Sequence, residues 1–194
     1  MISKEKELKK AVDEALKILR EGGVILYPTD TVWGLGCDAT NPKAVEKIYA
    51  IKRREDRNSL VMLVDGPDML SRYIREVPEI AWQILEINDK PLTIIYPGAE
   101  RLATNAISED KYAAFRIPDH QFCRSLIRRF GKPLVSTSAN ISGSDAPDFF
   151  ESVSIDIIEA ADWVADNSFE SGSTGKPSSI MMLGLSGEVK IIKE

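Results

Sequence analysis

Histidine occurs once, at His120, and cysteine twice, at Cys37 and Cys123, in a chain of 194 residues. With no CxxC pair and no His-rich spacing, a disulfide framework and a Cys/His zinc site are excluded as organising features. Both thiols read as buried and inert in a reducing compartment. No stretch approaches the ~20 apolar residues of a membrane span, and the charged start Met1-Ile2-Ser3-Lys4-Glu5-Lys6 has none of the roughly 7–15 apolar residues of a secretory leader. The expectation is a soluble, cytoplasmic protein with no membrane partner. Positive charge is also short, with 25 Lys and Arg against 30 Asp and Glu and a net charge of −5. That balance argues against broad, sequence-independent attraction to nucleic acid, which needs many phosphates neutralised at once. The G-x-G-x-x-G fingerprint, the G-x-x-x-x-G-K-[ST] phosphate loop and the G-x-S-x-G elbow are all missing, as are internal repeats.

What is present is a hydrophobic fraction of 43%, enough for one core, so residues 1–194 are read as a single domain. Leu8, Val12, Leu16 and Leu19 recur at helical spacing before Gly22-Gly23, which predicts a helix over about 4–21. Val24-Ile25-Leu26-Tyr27 is a short strand stopped by Pro28, and Asn41-Pro42 opens a helix with the apolar stripe Val45, Ile48, Tyr49. Further helices are predicted at 67–74, 79–87, 120–130 and 151–160, between strands near 60–64, 92–96, 112–117, 133–137, 179–183 and 188–192. Helices interleaved with β-rich runs imply an α/β sandwich. Asp166 to Pro177, rich in Ser and Gly without periodicity, reads as a loop with freedom to move.

Four segments carry hydrogen-bonding or charged groups in unusual density. Pro28-Thr29-Asp30-Thr31-Val32-Trp33-Gly34-Leu35-Gly36 leaves a strand as a tight turn; its hydroxyls either hold a small zwitterion or only close an Asx or ST turn. Lys52-Arg53-Arg54-Glu55-Asp56-Arg57-Asn58 puts four cations in seven residues of an acidic chain. They are either a phosphate site or cations that complement a helix C-terminus. Arg116 sits inside the apolar run Ala113-Ala114-Phe115-Arg116-Ile117, where an unpaired charge is very costly, so it needs a structural carboxylate or a bound carboxylate or phosphate. His120, at a predicted helix start, reads as structural or capping. Ser136-Thr137-Ser138-Ala139-Asn140-Ile141-Ser142-Gly143 follows a buried-looking strand with more polar side chains than a core satisfies without a ligand or caps.

Taken in order, the P-T-D-T-V-W-G-L-G string, Lys52-x-Arg54 and Ser136-Thr137-Ser138-Ala139-Asn140 resemble the YrdC-like family of threonylcarbamoyl-AMP synthases, in its short single-domain form, collinearly from about residue 10 to 193. The resemblance implies a twisted, open, mixed α/β sheet flanked by helices around a concave cavity, of the YrdC-like or RibB-like type. It also implies the condensation of L-threonine, bicarbonate and ATP into threonylcarbamoyl-AMP and pyrophosphate, a nucleotidyltransferase step whose product passes to the enzymes of tRNA threonylcarbamoyladenosine modification. Carried over position by position, Thr31, Arg116, Ser138 and Ser178 correspond to threonine contacts and Lys52, Arg54, Asn58 and Asn140 to nucleotide contacts, Lys52 and Arg54 being the catalytic cations. ATP is then a substrate, magnesium is expected on its phosphates, and no protein metal site is implied. The chain departs from the family at Glu55 and Ser59, where relatives carry prolines, and at Lys193, where they carry arginine. A structured-RNA-binding factor with weak RNA affinity, or a non-catalytic assembly partner, are the alternatives to the enzyme.

Overall fold

The computed structural model describes residues 2–53 and 60–194. In chain order the elements are α1 (Ile2–Arg20), β1 (Ile25–Tyr27), β2 (Gly34–Asp38), α2 (Pro42–Lys52), β3 (Val61–Leu63), α3 (Pro67–Leu70), α4 (Glu79–Ile87), β4 (Leu92–Tyr96) and β5 (Ala113–Arg116). They continue with α5 (Gln121–Phe130), β6 (Leu134–Ser138), α6 (Ile155–Ala160), β7 (Trp163–Val164), β8 (Ser179–Leu183) and β9 (Val189–Lys193). Among the described residues the strands form one mixed sheet in the order β7-β1-β2-β6-β3-β5-β4-β8-β9. The pairs β1–β7, β3–β5 and β4–β8 are parallel, and the rest are antiparallel. This is the twisted mixed sheet flanked by helices expected from the sequence. No helix of the described residues is long and apolar enough to cross a membrane.

Local chemistry accounts for the helix ends. The carbonyl oxygen of the Asn41 side chain accepts from the backbone N–H of Lys43 (3.0 Å) and Ala44 (3.3 Å), and Pro42 occupies the first helical position, so α2 begins where the sequence places it. It stops as Arg53 turns left-handed (φ 50°), burying Val45, Ile48 and Tyr49 on the way. Helix α1 buries Ala11, Val12, Ala15, Leu16 and Leu19, then ends at Gly22 with φ 74°. Helix α5 buries Phe122, Cys123, Leu126 and Ile127 and ends at Gly131 with φ 75°. Helix α1 lies against α5, and α2 against β2.

Four expectations change. The helix predicted over 151–160 is a 3-10 turn at Phe150–Ser152 followed by α6, and the one predicted over 67–74 is the short α3. The polar run read as following a strand begins inside it: Ser136 and Thr137, within the predicted strand 133–137, and Ser138 all belong to β6. Strand β2 falls where a turn was expected: Gly34 and Gly36 have low strand propensity, but β2 is buried throughout and pairs on both sides. A Cβ at Gly36 would lie 2.7 Å from both Tyr27 Cε1 and the Val135 carbonyl oxygen, so the phenol ring of Tyr27 crosses the strand only because glycine is there.

Candidate functional site

The turn between β1 and β2, the last residue of β5, the end of β6 and the entry to β8 converge on one cavity of about 600 Å³. It lies inside the usual size range for small-molecule sites. Thr31, Lys52, Arg116, Ser138, Asn140 and Ser178, six of the eight positions singled out in the sequence, line it together. The other two, Arg54 and Asn58, fall outside the described residues, as do Glu55 and Ser59.

One end is built around Arg116. Its register neighbours are Leu63 on β3 and Thr93 on β4, which place it at the sheet's centre with its side chain buried. Arg116 Nη1 donates to Asp30 Oδ1 (2.8 Å) and Thr31 Oγ1 (2.8 Å), and Nη2 makes a longer contact to Thr29 Oγ1 (3.4 Å). The structural carboxylate partner weighed for Arg116 is therefore present. The proton directions among the threonines follow from counting donors. Thr29 Oγ1 donates to the Val32 carbonyl (2.9 Å), so in its 2.8 Å contact with Thr31 the hydroxyl of Thr31 must be the donor. Thr29 and Thr31 thus do close the local turn, as the bland reading holds, yet the same oxygens line the cavity. Asp30 Oδ2 accepts from the Asp119 backbone N–H (3.3 Å), so both carboxylate oxygens are engaged.

The other end gathers around Lys52. Its ammonium donates to the carbonyl oxygens of Ser138 (2.6 Å) and Asn140 (2.7 Å) and to Asn140 Oδ1 (3.3 Å), with the side chain buried. Ser138 Oγ donates to Asn140 Oδ1 at 2.5 Å. Ser178, at the entry to β8, shares a 2.7 Å hydrogen bond with Thr93 Oγ1, which is fully buried. Thr93, Ser144 and Ile180 also line the cavity and were not singled out from the sequence; Ser142, part of the polar run noted there, and Lys193, noted only in place of a family arginine, line it too. Thr93 had a signal, a hydroxyl between the core residues Leu92 and Ile94; the others reach the cavity only through tertiary packing.

The loop 166–177 is tied across the β1–β2 turn. Thr174 N–H donates to the Asp30 carbonyl (3.0 Å), Gly175 N–H to the Thr31 carbonyl (2.9 Å), and the Ser173 hydroxyl to the Thr29 carbonyl. Glu170 accepts from the Trp33 indole N–H and from the Phe150 backbone N–H (2.6 Å). These bonds hold residues 173–175 along the turn whose Thr29 and Thr31 line the cavity, and Pro177 at the loop's end lines it too. His120 Nε2 lies 2.9 Å from the Phe169 carbonyl and must donate to it, which leaves Nδ1, buried, without a partner among the described residues. His120 occupies the N-cap position of α5 but makes no capping bond through its side chain. Burial lowers its pKa, so the neutral ring is the resting form. Burial also holds the Cys37 and Cys123 thiols well above their ordinary range, which leaves no thiolate for nucleophilic work.

A carboxylate-binding guanidinium ringed by hydroxyls at one end, and a cation-shaped polar turn at the other, define a pocket for a small polar molecule, set in the middle of a mixed sheet. A family model described as "Telomere recombination", named for Sua5, YciO and YrdC, matches residues 17–194, and the chain belongs to that family. The threonylcarbamoyl-AMP synthase of Vibrio campbellii is 34% identical over 137 residues, 69% of this chain and 74% of its own length. That of Halorhodospira halophila is 38% identical over 132 residues, 68% of this chain and 69% of its own. The crystal structure of P. abyssi Sua5 complexed with L-threonine superposes with a TM-score of 0.77 at 29% identity, covering 89% of this chain and 50% of that one. This chain thus spans about half the length of that Sua5 chain. E. coli YciO, at 23% identity and a TM-score of 0.79 over 95% of this chain and 89% of its own, supports the fold.

Proposed function

We propose that this chain is a threonylcarbamoyl-AMP synthase, working in the cytoplasm and handing its product to tRNA-modifying enzymes. The observation that carries the reading is the gathering of Thr31, Lys52, Arg116, Ser138, Asn140 and Ser178, from distant parts of the sequence, around one cavity in a family whose curated members bear that name. Threonine presents a carboxylate, an amine and a hydroxyl, which suit a guanidinium and surrounding Ser and Thr oxygens. Its carboxylate is placed at Arg116, with Thr31, Ser138 and Ser178 around it. The triphosphate is assigned to the Lys52 and Asn140 end; Arg54 and Asn58, outside the described residues, are nucleotide contacts on the family resemblance alone.

The chemistry then divides into two balanced steps. Bicarbonate breaks a C–O bond to release hydroxide and carbon dioxide, the threonine nitrogen bonds to that carbon, and the proton the nitrogen sheds joins the hydroxide as water, leaving a carbamate. A carbamate oxygen attacks the α-phosphorus in line, and the bond from that phosphorus to the bridging oxygen breaks to release pyrophosphate. No side-chain nucleophile is needed, so positioning and charge stabilisation carry the rate; well-oriented reactants save about 7–11 kcal/mol of such barriers. Among the described residues no group of three His, Cys, Asp or Glu can hold a metal ion, and both oxygens of Asp30 are engaged. Magnesium fits this reading as a counterion carried by the triphosphate, not as a protein-bound ion, and no step is routed through it.

A pyrophosphate-release assay with ATP tests the reading. Release should require threonine and bicarbonate together. Release without threonine would point to another acceptor, and salt-sensitive binding of structured RNA without ATP turnover would favour the RNA-binding alternative.

A further inference from the structure

The ammonium at the end of α2 is occupied before any ligand arrives. Lys52 is 2% exposed, and among the described residues its ammonium has three acceptors on one turn: the carbonyl oxygens of Ser138 (2.6 Å) and Asn140 (2.7 Å) and Asn140 Oδ1 (3.3 Å). The main chain joins the same link, since the Lys52 carbonyl accepts from the Ser142 N–H at 3.0 Å. Asn140 is equally committed. Its Oδ1 accepts from Lys52 and Ser138, and its Nδ2 donates to the carbonyls of Ile141 (3.1 Å) and Ser144 (2.6 Å), which uses both lone pairs and both N–H bonds. Ser142 and Ser144 line the cavity, and among the described residues nothing partners their hydroxyls.

We infer that Lys52 is a positioning residue: its ammonium holds the 138–144 turn so that Ser142 and Ser144 face the triphosphate, and it does not itself contact a phosphate. The inference rests on the synthase reading for the identity of the ligand. For a phosphate oxygen to capture Lys52, a half-buried carbonyl of the turn would have to lose its donor, and leaving such a group unsatisfied is costly. A cation that serves as a point charge for phosphate has no need of three protein acceptors.

The first test uses the intact, unmodified protein. A brief pulse of acetic anhydride followed by mass spectrometry, with and without ATP, reads the reactivity of each lysine. Lys52 should react at least about tenfold more slowly than Lys10, whose side chain is 79% exposed, and ATP should leave its rate unchanged. Reaction of Lys52 in the free protein followed by shielding on ATP addition would overturn the inference. Two variants add a functional readout. Lys52→Met should weaken ATP binding by about tenfold or more, and Lys52→Arg should not rescue it, because a planar fork cannot reproduce three carbonyl contacts in a buried slot. Ser142→Ala combined with Ser144→Ala should also weaken ATP binding and leave Lys52 unreactive. ATP affinity restored in Lys52→Arg, or unchanged in Lys52→Met, would sink the idea. Should the variants fail to fold, the labelling result alone decides. Absence of pyrophosphate release from the wild-type protein would remove the synthase reading, while the free-protein labelling would still report whether the ammonium is committed to the turn.

Discussion

Arg116 and Asp30 form a buried ion pair at 2.8 Å, with side chains 5% and 6% exposed. Removing the carboxylate strands a buried cation, so Asp30→Ala should lower stability by about 3–5 kcal/mol, and denaturant unfolding should show a large drop in midpoint. Asp30→Asn keeps the hydrogen-bond geometry and should lose less. His120 adds a pH dependence. Burial, opposed by its bond to Phe169 and by Asp30 and Asp119, and aided by Arg116, lowers its folded pKa below the ordinary value. The unfolded chain then binds more protons than the folded one near and below about pH 6.5, so stability rises with pH there. The contribution is complete above the unfolded pKa and is lost as pH falls toward the folded one. The melting temperature should therefore decline between about pH 7.5 and 5.5, and His120→Gln, which keeps a donor for Phe169, should flatten that slope.

Element by element, the sequence is readable where one periodicity dominates. Helix α2 is bounded as expected because Asn41 and Pro42 are local signals, and the strands at 92–96 and 179–183 match their predicted ranges because apolar, β-favouring runs need no distant partner to be recognised. Strand β2 is unreadable for the opposite reason. Its glycines look like turn residues, and only the Tyr27 ring on one side and β6 on the other explain them. Gly36→Ala should therefore cost about 1–3 kcal/mol by overpacking, seen as a lower melting temperature, although its backbone angles suit any residue. The 166–177 loop is a second such case, since its hydrogen bonds to residues 29–31 join segments more than a hundred positions apart.

Across the whole molecule the cavity depends on strand order. Thr31, Arg116, Ser138 and Ser178 come together because β2, β6, β3, β5, β4 and β8 are neighbours in the sheet although they are not consecutive in the chain. A ligand bridging these strands stabilises the fold as a unit. Threonine and ATP together should raise the melting temperature, with about 2.7 kcal/mol of stabilisation at a hundredfold excess over Kd. Arg116→Lys, which keeps a charge but loses the fork, should diminish the threonine part of that shift in a thermal-unfolding assay.

The sequence by itself determined the helix caps, most strands, the polar runs and the family resemblance, because caps, periodicity and motif strings are contiguous and act over a few residues. Tertiary structure alone decided that Asp30 is the partner of Arg116, that Gly36 makes room for Tyr27, and that the Lys52 ammonium donates to the turn after β6. Each depends on groups far apart in the chain, and a buried charge or a crowded glycine states that a partner is needed without saying which one.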